Sequence, residues 1–147
     1  MKKTISVILI MLAAGAICIT FQATLGATAV RGPLLTPDPK GKKIYEQSCL
    51  PCHQVDGSGV PGMNPPLLKS PYVQGSATAL IGIILHGVNN GVEIEGESYS
   101  NPMPAFSTVL KDQEIADVLT YLRSHFGNKA GPISQALVSR IRQGMNK

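Results

Sequence analysis

Cys49-Leu50-Pro51-Cys52-His53 is the stretch on which the reading of this chain turns. On a helix, positions i, i+3 and i+4 share a face, so this spacing presents two thiols and an imidazole to a single object. A haem fits that presentation. Cys49 and Cys52 capture its two vinyl groups as thioethers, and the adjacent His53 brings Nε2 beneath the iron, which is the chemistry of a C-x-x-C-H attachment. With 3 Cys and 3 His in 147 residues, chance produces such a match in about one chain per thousand. The competing uses of the same residues are weaker. A structural zinc site needs four ligands, and His86 and His125 stand alone. A thioredoxin-like dithiol requires a βαβ setting, whereas Gly41 to His53 reads as a helix running into a loop. A disulfide between Cys49 and Cys52 closes so short a loop that it removes little entropy from the unfolded chain.

Working outward, Gly32 to Pro39 is rich in proline, and residues 30–39 read as a linker. Before it, Lys2 and Lys3 precede an apolar run from Ile5 to Phe21, and Ala27-Thr28-Ala29 offers an A-x-A cleavage site. Residues 1–29 are therefore expected to be a signal peptide or, if retained, an N-terminal membrane anchor with its tether through residues 5–21. Either way the remaining chain is expected to be exported, to the periplasm or the outer face of the cytoplasmic membrane, where disulfides are tolerated. Cys18 lies in the apolar run and reads as filler. The length allows one ordinary domain. The net charge of +4 includes the two leader lysines. The remainder shows no clustered basic face, so a nucleic-acid partner is excluded. There is no Trp, and only 5% of residues are aromatic. A core so short of large rings leaves room for a cofactor.

Downstream of His53, Val55 to Pro71 is dense in Gly and Pro and reads as an irregular loop. Pro51 is expected to end or distort the helix over Gly41 to His53. Ala77 to Val88 reads as a helix apolar on nearly every side, with Gly87 as its stop, and belongs in the core. Val92 to Ser98 alternates around Gly96 and predicts a short solvent-facing hairpin, whose Glu93, Glu95 and Glu97 read either as a solvated edge or as one exposed acidic face for a basic partner. Asp112 to Phe126 carries Ile115, Val118, Leu119, Leu122 and Phe126 on one stripe and is the clearest helix. Residues 129–147 read as a C-terminal extension with a short amphipathic helix from Ser134 to Arg142.

A haem iron held by His53 needs a sixth ligand, and a thioether favours the ferrous state and raises the potential. The candidates are Met63, His86 and Met103. Met63 falls in the loop that must first wrap the proximal side. His86 ends an apolar helix, where a hydrogen-bonded structural histidine is the ordinary reading. Met103 stands between Pro102 and Pro104, which stiffen the loop around it. Met103 is the expected axial partner of His53. If the sixth position were instead open or easily displaced, a haem-based catalytic or gas-binding module would be the alternative, with His86 as the suspect.

With QVDGSGVPGMNPPL at 54–67, NPMPAF at 101–106 and KDQEIADVLTYLRSHFGN at 111–128 added to CLPCH, the chain resembles the class I monohaem cytochromes c over about residues 40 to 142. Within that class it looks most like the small cytochromes c, or cytochrome domains, that serve membrane-associated bacterial dehydrogenases and related respiratory enzymes. The resemblance implies an all-α fold, the cytochrome c fold, with helices packed around one covalently bound haem c, in a domain over 40–128. It implies that Gly41 and Tyr45 cross Val118 and Tyr121. It also implies a proline carbonyl, from Pro65 or its neighbour Pro66, that accepts a hydrogen bond from His53 Nδ1 and so orients the ring. Leu67 and Phe106 are expected at the haem, and Met63, Leu68 and Val109 are further candidates for its pocket. The sequence departs from the family pattern at Lys111, where a small capping residue is common, and at His125, where an aromatic is frequent. The implied function is one-electron transfer with redox partner proteins, a dehydrogenase or an oxidase, and the chain is not expected to be an enzyme on its own.

Overall fold

The computed structural model describes residues 39–144. The expected signal peptide or anchor, including residues 5–21, and all of the linker except Pro39 lie outside the described residues. Six helices and one hairpin follow in order: α1 (Pro39–Ser48), α2 (Leu50–His53), α3 (Pro71–Gln74), α4 (Ala77–His86), β1 (Val92–Ile94), β2 (Glu97–Tyr99), α5 (Asp112–Ser124) and α6 (Gln135–Gly144).

The helix expected over Gly41 to His53 is interrupted, two residues ahead of Pro51 rather than at it. The chain breaks at Cys49, and Pro51 sits in the first turn of α2. In an unbroken helix its ring would strike the carbonyl four residues back, whereas in a first turn its missing N–H costs nothing. α4 opens on Ser76, whose Oγ accepts the Ala79 N–H at 3.3 Å. It stops at Gly87, where φ is +71°. A β-carbon at Gly87 would run into the Met103 carbonyl and come within 2.8 Å of Ala105 N, so the same glycine lets the Met103 segment lie against the helix end. α5 begins at Lys111, where the Glu114 carboxylate accepts the Lys111 N–H at 2.8 Å. Asp112 and Glu114 place negative charge at the positive end of the helix. It ends two residues before the predicted Phe126. Phe126 takes a positive φ of 54°, and Asn128 Nδ2 donates to the Leu122 carbonyl at 2.9 Å.

The core lies where α1 crosses α5. A β-carbon on Gly41 would collide with the Asp117 carbonyl and stand 2.7 Å from Tyr121 Cβ, so only glycine permits this approach. The backbone that Gly41 meets is that of Asp117, one residue before the expected Val118. Tyr45 stacks tilted against Tyr121 and Phe126, with ring centroids 5.7 and 5.1 Å away. His125 lies on the Tyr121 ring at 4.0 Å, filling an aromatic's place. Its Nδ1–H donates to the Tyr121 carbonyl at 2.9 Å.

Ile81, Leu85, Ile115 and Leu119 are fully buried between α4 and α5. Burial of each contributes about 1.5–3 kcal/mol relative to exposure. Ile133 and Val138 join that core from the segment read as an extension, and α6 packs on both α4 and α5. Arg123 is buried as well, and its guanidinium holds the carbonyls of Gly131 at 2.6 Å, Val73 at 2.9 Å and Gly75 at 3.1 Å. These bonds tie α3 and the chain at Gly131 to α5.

The hairpin pairs Val92 with Tyr99, Glu93 with Ser98 and Ile94 with Glu97, through a two-residue turn at Glu95 and Gly96. This corrects the expected acidic face. Directly opposed residues share a side of the ribbon, so Glu97 stands with Ile94 and Glu93 with Ser98, on opposite sides. The turn restarts the alternation, and the period-2 reading across it fails. All three glutamates are exposed.

Candidate cofactor site

The two thiols and the imidazole are set by the short α2 turn. The N–H groups of Cys52 and His53 both donate to the Cys49 carbonyl, at 3.1 and 2.9 Å. Cys49 is half-buried and Cys52 is exposed. Burial, with a smaller contribution from Cys52, pushes the Cys49 thiol up to about 11. Among the described residues no group of three His, Cys, Asp or Glu side chains is placed to hold a metal ion.

His53 is buried, and its Nδ1–H donates to the Pro65 carbonyl at 2.9 Å. Of the two adjacent prolines, Pro65 is the acceptor. Burial holds the imidazole below the ordinary histidine range, opposed by this hydrogen bond. With Nδ1 committed, Nε2 is the nitrogen left to act as a ligand. The loop that carries Pro65 is tied back by Gly59 N–H to the His53 carbonyl at 3.1 Å and by Leu67 N–H to the Gly57 carbonyl at 2.8 Å. The Tyr45 hydroxyl donates to the Gln54 carbonyl and so fastens the far end of α2 to α1.

Cys49, Cys52, His53 and Met103 line one cleft of about 1080 Å³, its open mouth included. Met103 is held there by a two-way bridge with Val88: Met103 N–H donates to the Val88 carbonyl at 2.8 Å, and Val88 N–H to the Met103 carbonyl at 2.9 Å. Phe106 N–H donates to the Ile84 carbonyl at 2.9 Å. Leu67 and Phe106 also line the cleft.

Three residues expected at this pocket are elsewhere. Met63, Leu68 and Val109 do not line it and are 47%, 48% and 66% exposed. Each lies in a loop whose backbone turns the side chain outward, a direction that apolarity alone does not reveal. His86 is exposed at the end of α4 and is also absent from the cleft. Conversely, Leu80, Ile83 and Ile84 of α4 form one wall, and Val92 and Ile94 of the hairpin form another. The all-round apolarity of α4 was the available signal. Ile81 and Leu85 face the protein core, and Leu80, Ile83 and Ile84 face the cleft. The hairpin, read as solvent-facing, has one side in solvent and Val92 and Ile94 turned to the cleft.

Such walls suit a large, flat, apolar ring, and the donor set suits haem c. Two thiols at thioether spacing, one oriented imidazole and one thioether sulfur converge on a cleft with almost no charged lining. The comparison with known proteins agrees. The sequence model of the family described as Cytochrome c matches residues 39–126. Over 111 residues the chain is 37% identical to cytochrome c-552 of Thermus thermophilus, a match covering 73% of this chain and 74% of that protein. It is also 37% identical over 111 residues to the cytochrome c subunit of the quinone alcohol dehydrogenase of Gluconacetobacter polyoxogenes, covering 73% of this chain but 23% of that subunit. Against the cbb3-type cytochrome c oxidase subunit FixP of Azorhizobium caulinodans the identity is 32% over 93 residues, 63% of this chain and 30% of the other. The chain thus spans less than a third of these two larger subunits. Family match and cleft point the same way: this chain belongs to the cytochrome c family, carries haem c covalently and functions in electron transfer.

Proposed function

We propose that the haem c is attached through Cys49 and Cys52, with His53 and Met103 as its axial ligands, and that the domain passes single electrons between a dehydrogenase or oxidase and its partners. When bound, the haem supplies an iron that cycles between Fe(II) and Fe(III). The chain's own residues do the rest. Pro65 fixes the ring of His53, the Val88 bridge holds the Met103 segment, and Leu80, Ile84 and Phe106 keep water from the cleft. A dry, rigid surround limits reorganisation when charge changes. The observation that carries the reading is that, of Met63, His86 and Met103, only Met103 shares the cleft with His53. The similarity to cytochrome subunits of dehydrogenase and oxidase complexes supports the choice of partners. The exported location, with residues 1–29 as a cleaved signal or retained tether, rests on the leader pattern. No helix among the described residues is long and apolar enough to cross a membrane.

Carbon monoxide titration of the ferrous protein tests the ligation. The wild type, Met63→Leu and His86→Gln are expected to bind little carbon monoxide, and Met103→Ala to bind it readily at a lowered reduction potential. Ready binding by the wild type, or a response to His86→Gln and none to Met103→Ala, overturns the assignment.

A further inference from the structure

The Met103 segment is anchored on both sides, by Gly87, Val88 and Ile84 within the family match and by Arg142 beyond it. Its N-terminal side is pinned by the Val88 bridge and by Gly87. Its C-terminal side runs through Phe106 into a turn in which the Val109 and Leu110 N–H groups both donate to the Phe106 carbonyl, at 3.1 and 2.9 Å. That turn leaves the Ser107 and Leu110 carbonyls pointing away from its own backbone partners. Arg142, from α6 beyond the matched residues 39–126, takes both. Its guanidinium donates to the Ser107 carbonyl and, through Nη2, to the Leu110 carbonyl at 2.9 Å. Nε meets Asp112 Oδ1 at 2.6 Å, at the first residue of α5. Both side chains of this pair are largely shielded, at 23% and 21% exposure. One planar fork therefore joins three points: the turn after the Met103 segment, the start of α5 and the C-terminal helix. Val138 and Ile141 root that helix in the core.

We propose that Arg142 is a positioning residue for Met103: by gripping the turn at Ser107 and Leu110 it sets how firmly the Met103 thioether holds the sixth position of the haem iron. The proposal rests on the assignment of Met103 as a ligand. Lysine is a point charge and cannot reproduce three differently directed donors. Loss of the fork frees the turn, and the segment samples conformations in which the sulfur is withdrawn. An external ligand for ferric iron then competes with a smaller bound fraction, and its apparent affinity rises in proportion to the open population.

Imidazole titration of the ferric haem-loaded protein, with urea unfolding of the same samples, tests this. Arg142→Leu is expected to bind imidazole about tenfold more tightly than the wild type, the size of effect that follows from losing one charge-assisted hydrogen bond. Arg142→Lys falls between the two, and Arg140→Leu, an exposed site on the same helix, matches the wild type. Met103→Ala binds more tightly than any of these, and adding Arg142→Leu to it produces no further gain. If Met103→Ala binds more tightly but Arg142→Leu and Arg142→Lys bind as the wild type, the ligand assignment stands and the positioning role is wrong, even where the urea midpoint has fallen. The positioning role is also wrong if Arg142→Leu still tightens binding in the Met103→Ala background, or if Arg140→Leu has the same effect. If Met103→Ala binds imidazole no more tightly than the wild type, the ligand assignment itself fails. Should Arg142→Leu not fold, Arg142→Lys alone decides by the same comparison.

Discussion

Two glycine-to-alanine exchanges in helices of this domain are expected to change stability in opposite directions. In a helix interior, alanine is favoured over glycine by about 0.8–1.0 kcal/mol, because glycine loses more backbone freedom on folding. At Gly82, inside α4, an added β-carbon meets nothing within 4 Å, so that gain is realised. Gly41, inside α1, is different. There the β-carbon meets the Asp117 carbonyl at less than a normal contact and Tyr121 Cβ at 2.7 Å. Neither is the free end of a flexible chain, so α1 must move away from α5, and the Tyr45 rings move with it. Overpacking of this kind costs about 1–3 kcal/mol, and the helix-propensity gain offsets only part of it. The expected net effect at Gly41 is a loss of about 1–2 kcal/mol. The difference between the two variants is then about 2–3 kcal/mol, or a separation of roughly 8–20 °C in unfolding midpoint for a domain of this size. Urea and thermal unfolding of the haem-loaded variants at one pH measure it. If Gly41→Ala proves as stable as Gly82→Ala, the close crossing of α1 and α5 is not what requires glycine, and the argument fails.

Other consequences follow from the same structure. Arg123→Leu leaves three carbonyls without their charged donor and is expected to destabilise the domain by about 2–4 kcal/mol, read as a lower urea midpoint, with Arg123→Lys recovering only part. Replacing Cys49 and Cys52 together with Ser removes both thioether sulfurs, and haem staining on a denaturing gel is expected to vanish; a stained band in the double variant contradicts covalent attachment at these positions. N-terminal sequencing of the protein from its native host is expected to begin near Val30 if Ala29 is the cleavage point, and an intact N-terminus in the membrane fraction identifies a retained tether.

What the sequence determined on its own was whatever depends on spacing along the chain. The C-x-x-C-H interval requires only that a few residues be helical, so it points to haem attachment without knowledge of any distant contact. The Gly87 stop of α4, the hairpin around Gly96 and the proline-flanked Met103 are local in the same sense. The tertiary structure decided which way a side chain points when the choice depends on a partner far along the sequence. Met63, Leu68 and Val109 are as apolar as Leu67 and Phe106, yet only the last two face the cleft. Pro65 and Pro66 are chemically alike, and the fold of the 54–67 loop selects Pro65 for His53. α4 is apolar all round, and packing on α5 divides it into a core face and a cleft face. Arg142 and Asp112, 30 residues apart, form no local pattern at all. Periodicity records that a surface is to be buried, but long-range packing decides what buries it.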